Sequence, residues 1–390
     1  MNHVVIETSR DRPRIVVAMD SFKGSVTSAE ANGAVRAGAL RAAPEASVTA
    51  VAVADGGEGT LAALAASGRT RSADAVDLLG RHTEAPYVAL DDAVAVESAS
   101  TVGLTLLDEP SPETARRAHS FGLGLQVRRA ALATDAHRVL IGLGGTGTTD
   151  GGIGMLLALG ARIRTADGAT LEGTAEIPSG NPLLLRPVQV DLPRPRALLL
   201  GLSDVSTPLL GPRGAARLFG PQKGADAALV EELERAMKGW AAALACAGAD
   251  VASSPGAGAA GGLGAAVLAL GGELTPGLDR VFAETGAGAA LAEADLVITG
   301  EGCLDAQTAE GKATAAIARL AARGRGDGGA RVVALAGSVA AEPHTLAGIG
   351  LADAIAIHEQ GLPLARAMDR ATTLAALERA ATRAVAAHLV

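Results

Sequence analysis

Residues 143–154 read LGGTGTTDGGIG, half of them glycine, with the single carboxylate of Asp150 among them. Glycine turns that follow a strand cradle phosphate, because bare backbone N–H groups can converge on an anion. Asp150 works against that role on its own. Two like charges about 4 Å apart repel by roughly 4 kcal/mol at an effective dielectric of 20. A divalent cation between them removes the conflict. The stretch therefore predicts a phosphate-binding loop of Gly144, Gly145, Thr146, Gly147, Gly151 and Gly152, with Asp150 as a metal ligand.

Four further stretches set acids beside glycine or small residues at predicted strand ends: MDSFKGS, VADGGEGT, LSDVSTP and TGEGCLD. In an open parallel sheet, ligands bind at the carboxyl ends of strands. A dinucleotide site needs one such acid, for the ribose. Several acids suit Mg²⁺, which one or two carboxylates hold together with substrate phosphate. Asp20, Asp55, Glu58 and Asp204 are candidates for handling substrate and proton, and Glu301 and Asp305 for holding metal. Taken singly, Asp20 and Asp204 are equally well explained as helix N-caps. That explanation is weaker for Asp55 and Glu58, which flank glycines that contribute no packing. Lys23 in DSFKGS is a candidate catalytic cation. Lys223 in FGPQKGA and Lys312 in AEGKAT are candidates for neutralising phosphate.

Strands and helices must carry these residues. RIVVAM (14–19) predicts a buried strand ending at Asp20, and a helix follows over 28–43 with Thr27 or Ser28 as N-cap. VTAVAVADGGEGT predicts a second buried strand running into a glycine turn, with a helix after it. From about residue 70 the pattern alternates and reads as antiparallel hairpins. A helix is expected over 111–132, a strand at RVLIGLGG, a helix at IGMLLALGA, a strand at ALLLGLSDV and a helix over 226–248. After Asp295 the strand–turn–helix rhythm returns: DLVITGEG ends in an acidic turn with a helix from about Gln307, then come RVVALAGS, DAIAIHEQ and a last helix over 371–388. The expected fold is α/β: a doubly wound parallel-sheet domain of residues 1–70 and 290–390, split by an inserted α/β domain with a mixed sheet over 71–289.

Composition limits the partners. The chain has 34 basic and 42 acidic residues, a net charge of −8, which disfavours nucleic acid. Cys246 and Cys303 cannot make a disulfide framework and fit a reducing compartment. The opening MNHVVIETSRDRPR lacks the apolar stretch of a secretory signal, and no apolar run is long enough to cross a bilayer. A cytoplasmic protein acting on a small molecule is expected, without nucleic-acid or membrane partners. Association between copies stays open. His82, His119, His137, His344 and His358 show no ligand spacing and read as surface or capping residues. There is no G-x-x-x-x-G-K-[ST] loop and no G-x-S-x-G elbow. Gly142, Gly144 and Gly147 do fit G-x-G-x-x-G, which keeps a nicotinamide-dependent hydroxy-acid dehydrogenase as an alternative. The acid that such a site needs about 20 residues later falls near Asp167, in a hydrophilic turn.

Taken together and in order, DSFKGS, VADGGEGT, GGTGTTDGG, SDVSTPLLG, FGPQKGA, GAGAAGGLG and ITGEGCLDAQTAEGK resemble the bacterial glycerate kinases of the type that phosphorylates D-glycerate, as a rule at the 2-hydroxyl. The resemblance runs from about Arg14 onward. It implies ATP-dependent phosphoryl transfer to a small hydroxy acid with Mg²⁺. It also implies two α/β domains, the second inserted in the first, with the active site in the cleft between them. For such a reaction the expected roles are these: Asp55 or Asp204 orients the attacking hydroxyl and accepts its proton, Lys23 and backbone N–H groups of the glycine turns hold the glycerate carboxylate, Asp150 or Glu301 holds Mg²⁺, and Gly144–Gly147 takes the triphosphate. The chain departs from the family pattern in places. Thr149 stands where Asn is usual, Cys303 where Arg is usual, Ala306 where a polar residue is usual, and SFGLG (120–124) where Arg-Gly-Thr-Gly is familiar. These departures keep a non-catalytic sugar-acid sensor on the same fold as another alternative.

Overall fold

The computed structural model describes residues 12–173, 177–305, 308, 313–322, 324 and 329–389. By contacts the chain divides into two compact units, one of the chain through Val53 and from Phe282 onward, the other of Ala54–Val281. The first division falls before the glycine turn, not at residue 70. The reason is local: Gly144 donates its N–H to the Gly56 carbonyl (3.1 Å), and Leu61 donates to Glu97 Oε1 (3.3 Å), so the turn packs with the second unit.

Strand β1 (Arg14–Met19) is buried along almost its whole length, as its branched residues favour. The helix Ser28–Ala42 begins with a capping box. Glu30 N–H donates to Thr27 Oγ1, and Thr27 N–H donates back to the Glu30 carboxylate (2.8 Å). Strand β2 (Ser47–Ala50) is a short edge strand, largely exposed. The predicted burial belongs instead to Val51 and Val53, just beyond its end.

In the second unit β3 (Arg69–Val76), β4 (His82–Ala89) and β5 (Ala93–Glu97) form the expected antiparallel meander, and β6 (Arg138–Gly142) adds parallel to β5. Strands β7 (Arg162–Thr165), β8 (Thr170–Glu172) and β9 (Pro187–Asp191) make a separate antiparallel sheet that the sequence pattern does not announce. With β10 (Leu198–Leu202) and β11 (Glu273–Thr275) the main sheet has the order β11-β10-β6-β5-β4-β3 and is mixed. The helix expected over 111–132 is two helices, Pro112–Arg117 and Phe121–Thr134. They part because the Ser120 N–H and hydroxyl bond the carboxylate of Asp150.

In the first unit β12 (Leu296–Leu304), β13 (Arg331–Val339) and β14 (Asp353–Ala356) complete a wholly parallel sheet of order β14-β13-β12-β1-β2. β12 runs on through the predicted turn: Glu301 pairs with Ala336 and Cys303 with Ser338. The helix Arg370–His388 packs on Ser28–Ala42, and a Cβ at Gly38 would collide with the Glu378 carbonyl. The fold class is therefore α/β, with a parallel sheet, a mixed sheet and a small antiparallel sheet. No helix among the described residues is long and apolar enough to cross a membrane.

Candidate active site

Within the unit 54–281, two glycine segments meet backbone to backbone. Gly56 has φ +90° and lies so close to Leu202 that a side chain would not fit, and a Cβ at Gly144 would strike Gly57. Asp55 caps this turn, its Oδ1 accepting the Gly57 N–H (3.0 Å). Asp204, two residues beyond β10, accepts the N–H of Gly277 (3.2 Å), and Gly277 in turn abuts the carbonyl of Asp55. Asp55 and Asp204 thus flank one glycine. Burial, and then the negative charge of Asp55, push the Asp204 carboxyl up to about 6, although part of its surface still meets solvent. No cationic side chain among the described residues pairs with either acid. Glu58 is exposed on the same turn.

Glu97, which the sequence motifs do not single out, belongs here too. It ends β5 opposite Gly142, and burial raises its carboxyl, with Glu58 adding to the effect. The signal was present in AVAVES, one more acid closing a strand.

The glycine loop after β6 divides into two parts. Gly144 and Gly145 reach solvent beside the acid turn, while Thr146 to Gly152 are buried. The Gly145 carbonyl accepts the Leu104 N–H (2.8 Å), the Gly147 N–H donates to Val102 (2.7 Å), and Ser98 Oγ donates to the Gly144 carbonyl (3.0 Å).

Asp150, the expected metal ligand, lies in the interior. It is fully buried, and its oxygens accept the N–H groups of Gly152, Gly154 and Ser120 and the Ser120 hydroxyl, at 2.7–3.0 Å. It caps the start of the helix Ile153–Ala158 from inside. Gly151 and Gly152 are likewise committed to protein. The Gly151 carbonyl accepts the Trp240 indole N–H (3.0 Å), its N–H donates to Gly261 (3.0 Å), and Gly152 bonds Asp150. Both of their N–H groups are donated to protein oxygens.

Lys223 is also interior, only 3% exposed; Nζ donates to Thr146 Oγ1 (3.0 Å) and to the Thr148 carbonyl (2.8 Å). Burial lowers its ammonium to about 7, against the pull of Asp150. Both partners of the expected phosphate-binding lysine thus belong to the glycine loop. His119, expected at the surface, is 1% exposed; burial pushes its imidazole below the ordinary value, with Asp150 opposing.

The unit built around β1 and β12 carries the other candidates. The register pairs Met19 with Gly300, and Asp20, just past the end of β1, donates its N–H to the Gly300 carbonyl (2.9 Å) beside Glu301. Asp20 Oδ1 accepts the Ser21 N–H (2.6 Å). Strand alternation places Glu301 and Cys303 on one face, and Asp305 follows one residue past the end of β12. Thr308 Oγ1 accepts the Asp305 N–H (3.1 Å) and donates to Glu301 Oε1 (3.2 Å). Lys23 is exposed on a turn whose Phe22 and Val26 backbones bond to each other. Lys312, Ala306 and Gln307 lie outside the described residues. Among the described residues no three His, Cys, Asp or Glu side chains gather as a complete metal cage. Two hard carboxylates are nevertheless the number that Mg²⁺ uses when phosphate and water supply the rest. Glu301 and Asp305 fit that description.

The dinucleotide alternative does not fit this geometry. No helix opens at Gly144–Gly147, and Asp167 turns the β7–β8 hairpin, bonded to the Thr165 hydroxyl (2.5 Å).

Comparison with known proteins agrees. A family model described as the glycerate kinase family matches residues 15–389. The chain is 35% identical to a glycerate kinase from Halalkalibacterium halodurans, over 94% of this chain and 96% of that one. It is 37% identical to the glycerate 2-kinase of Escherichia coli K12, over 79% and 82% of the two chains. A crystal structure of a candidate glycerate kinase 2 from Salmonella typhimurium LT2 superposes with a TM-score of 0.80 at 32% identity, covering 97% of this chain and 98% of that one. The chain belongs to the glycerate kinase family.

Proposed function

We propose that the protein transfers the γ-phosphoryl group of ATP to the 2-hydroxyl of D-glycerate, giving 2-phosphoglycerate and ADP. The observation that supports this most directly is the family match over residues 15–389, together with a curated relative named glycerate 2-kinase. Transition states of phosphoryl transfer are loose, so positioning and charge neutralisation supply most of the rate. Asp204, with a carboxyl at about 6, is ionised near neutral pH and basic enough to take the hydroxyl proton as the O–P bond forms. Asp55 orients that hydroxyl, and Glu58 completes the acidic rim. The exposed amide of Gly145 faces the phosphate chain. On the other unit Lys23 is a candidate partner for an anion, and Glu301 and Asp305, with Asp20 just beyond the neighbouring strand, would hold Mg²⁺, which when bound supplies positive charge against phosphate.

The test is turnover of purified protein with ATP, Mg²⁺ and D-glycerate, with products resolved by phosphorus NMR. Glycerate-dependent ADP and a phosphate ester at carbon 2 are expected. Asp204→Asn should lower kcat by roughly 10²–10⁴. ADP release that ignores glycerate, or an unimpaired Asp204→Asn, overturns the assignment.

A further inference from the structure

We propose that Lys223 is a positioning residue: an interior ammonium that clamps the 146–148 segment and so sets where the exposed Gly145 amide stands. This rests on the phosphoryl-transfer reading above and adds a residue that acts without touching substrate.

Lysine is among the residues least often buried, because its compact ammonium is strongly hydrated. An interior lysine needs partners that replace that water. Here they belong to the glycine loop itself, Thr146 Oγ1 at 3.0 Å and the Thr148 carbonyl at 2.8 Å. These two groups bracket Gly147, whose N–H is held from the other side by the Val102 carbonyl (2.7 Å). The loop is thus fixed on both sides, and at its solvent-facing end Gly144 lies against Gly56 and Gly57 of the acid turn. The clamp cannot readily shift. Lys223 closes the turn Pro221–Lys223, and Gly224 after it has φ +94° and presses on the Ser111 backbone. Buried Asp150 supplies the compensating charge, itself fixed by four hydrogen bonds. A lysine held in this way cannot reach a phosphate without leaving both partners.

The test compares Lys223→Met, Thr146→Val, Thr146→Ser and the Lys223→Met/Thr146→Val double variant in full-length protein. Lys223→Met keeps the aliphatic stem and drops the ammonium. Thr146→Val keeps the shape and drops the hydroxyl. Both are expected to raise the KM for ATP about tenfold or more and to lower kcat, while the KM for glycerate moves less than about threefold. Thr146→Ser should restore both parameters to within about threefold of wild type. The double variant should be little worse than Lys223→Met alone, because the two groups act as one. The proposal is overturned if Thr146→Val matches wild type while Lys223→Met is impaired, since that is the pattern of a lysine on the phosphate. Equal impairment of Thr146→Val and Thr146→Ser, or full additivity in the double variant, also overturns it. If Lys223→Met does not fold, the Thr146 pair decides alone. Wild-type turnover is read first. Its absence counts against the kinase reading, and ATP affinity by calorimetry across the Thr146 pair then decides the clamp separately.

Discussion

Asp204 shows how one side chain can serve chemistry at the expense of stability. Its carboxyl lies at about 6, raised first by burial and then by Asp55. A raised carboxyl favours the fold while it is protonated, so the contribution is complete below about 4 and is lost as pH climbs through 6. Asp204→Asn should therefore match wild type in acid and melt slightly higher above pH 7. The gain should stay under about 1 kcal/mol, because solvent screens the site. In wild type, kcat/KM should rise with pH through about 6. Asp55→Asn, by removing the like charge, should move that inflection downward in a pH–rate profile. An inflection that stays in place would separate the two acids. In sequence Asp150 looks just like Asp55, an acid among glycines. What distinguishes them is Ser120, thirty residues away, whose amide and hydroxyl take Asp150 into the interior. Local spacing carries no trace of that pairing. Asp55 and Asp204 stood out in the sequence because each lies beyond a buried segment at the carboxyl end of a strand, where the rule for open sheets places ligands, and the fold brings them to the same glycine.

Helices Ser28–Ala42 and Arg370–His388 approach through small residues: Ala31, Val35, Gly38 and Ala39 against Ala380, Ala381 and Ala384. Two glycines on the first helix give opposite expectations. Gly38 touches the Glu378 backbone, so Gly38→Ala should cost about 1–3 kcal/mol through overpacking. Gly33 is exposed with nothing near its missing Cβ, so Gly33→Ala should add about 0.5–1 kcal/mol. Urea unfolding midpoints measure both, and shifts of the same sign would contradict the close packing. Elements of this kind were readable in advance. RIVVAM is a strand to the residue, and Thr27 caps its helix as its type suggests. The β7–β8–β9 sheet was not, because its strands are three to five residues long and mostly polar on the outside. Too few residues alternate there for a period of two to stand out. β12 passed through its glycines because β13 supplies a partner at Ala336 and Ser338, which only the folded sheet reveals.

At the scale of the molecule, two separate apolar clusters stand out among the described residues. One gathers Ile15, Val17, Leu296, Ile298 and Leu335; the other gathers Phe121, Ile141, Leu156, Met155 and Trp240. Each is a core in its own right, so scanning calorimetry of the full chain should give a calorimetric enthalpy larger than the van't Hoff value. Coincidence of the two enthalpies would mean that the clusters melt as one.

Aromatic residues make up only 2% of the chain, and tryptophan occurs once. That one indole donates to the Gly151 carbonyl, at the buried end of the glycine loop. Intrinsic fluorescence excited at the red edge therefore has a single source, which lies against the backbone in question. The protein comes with its own optical probe, and any nucleotide that disturbs this loop will announce itself as a change in colour or brightness without a label being attached.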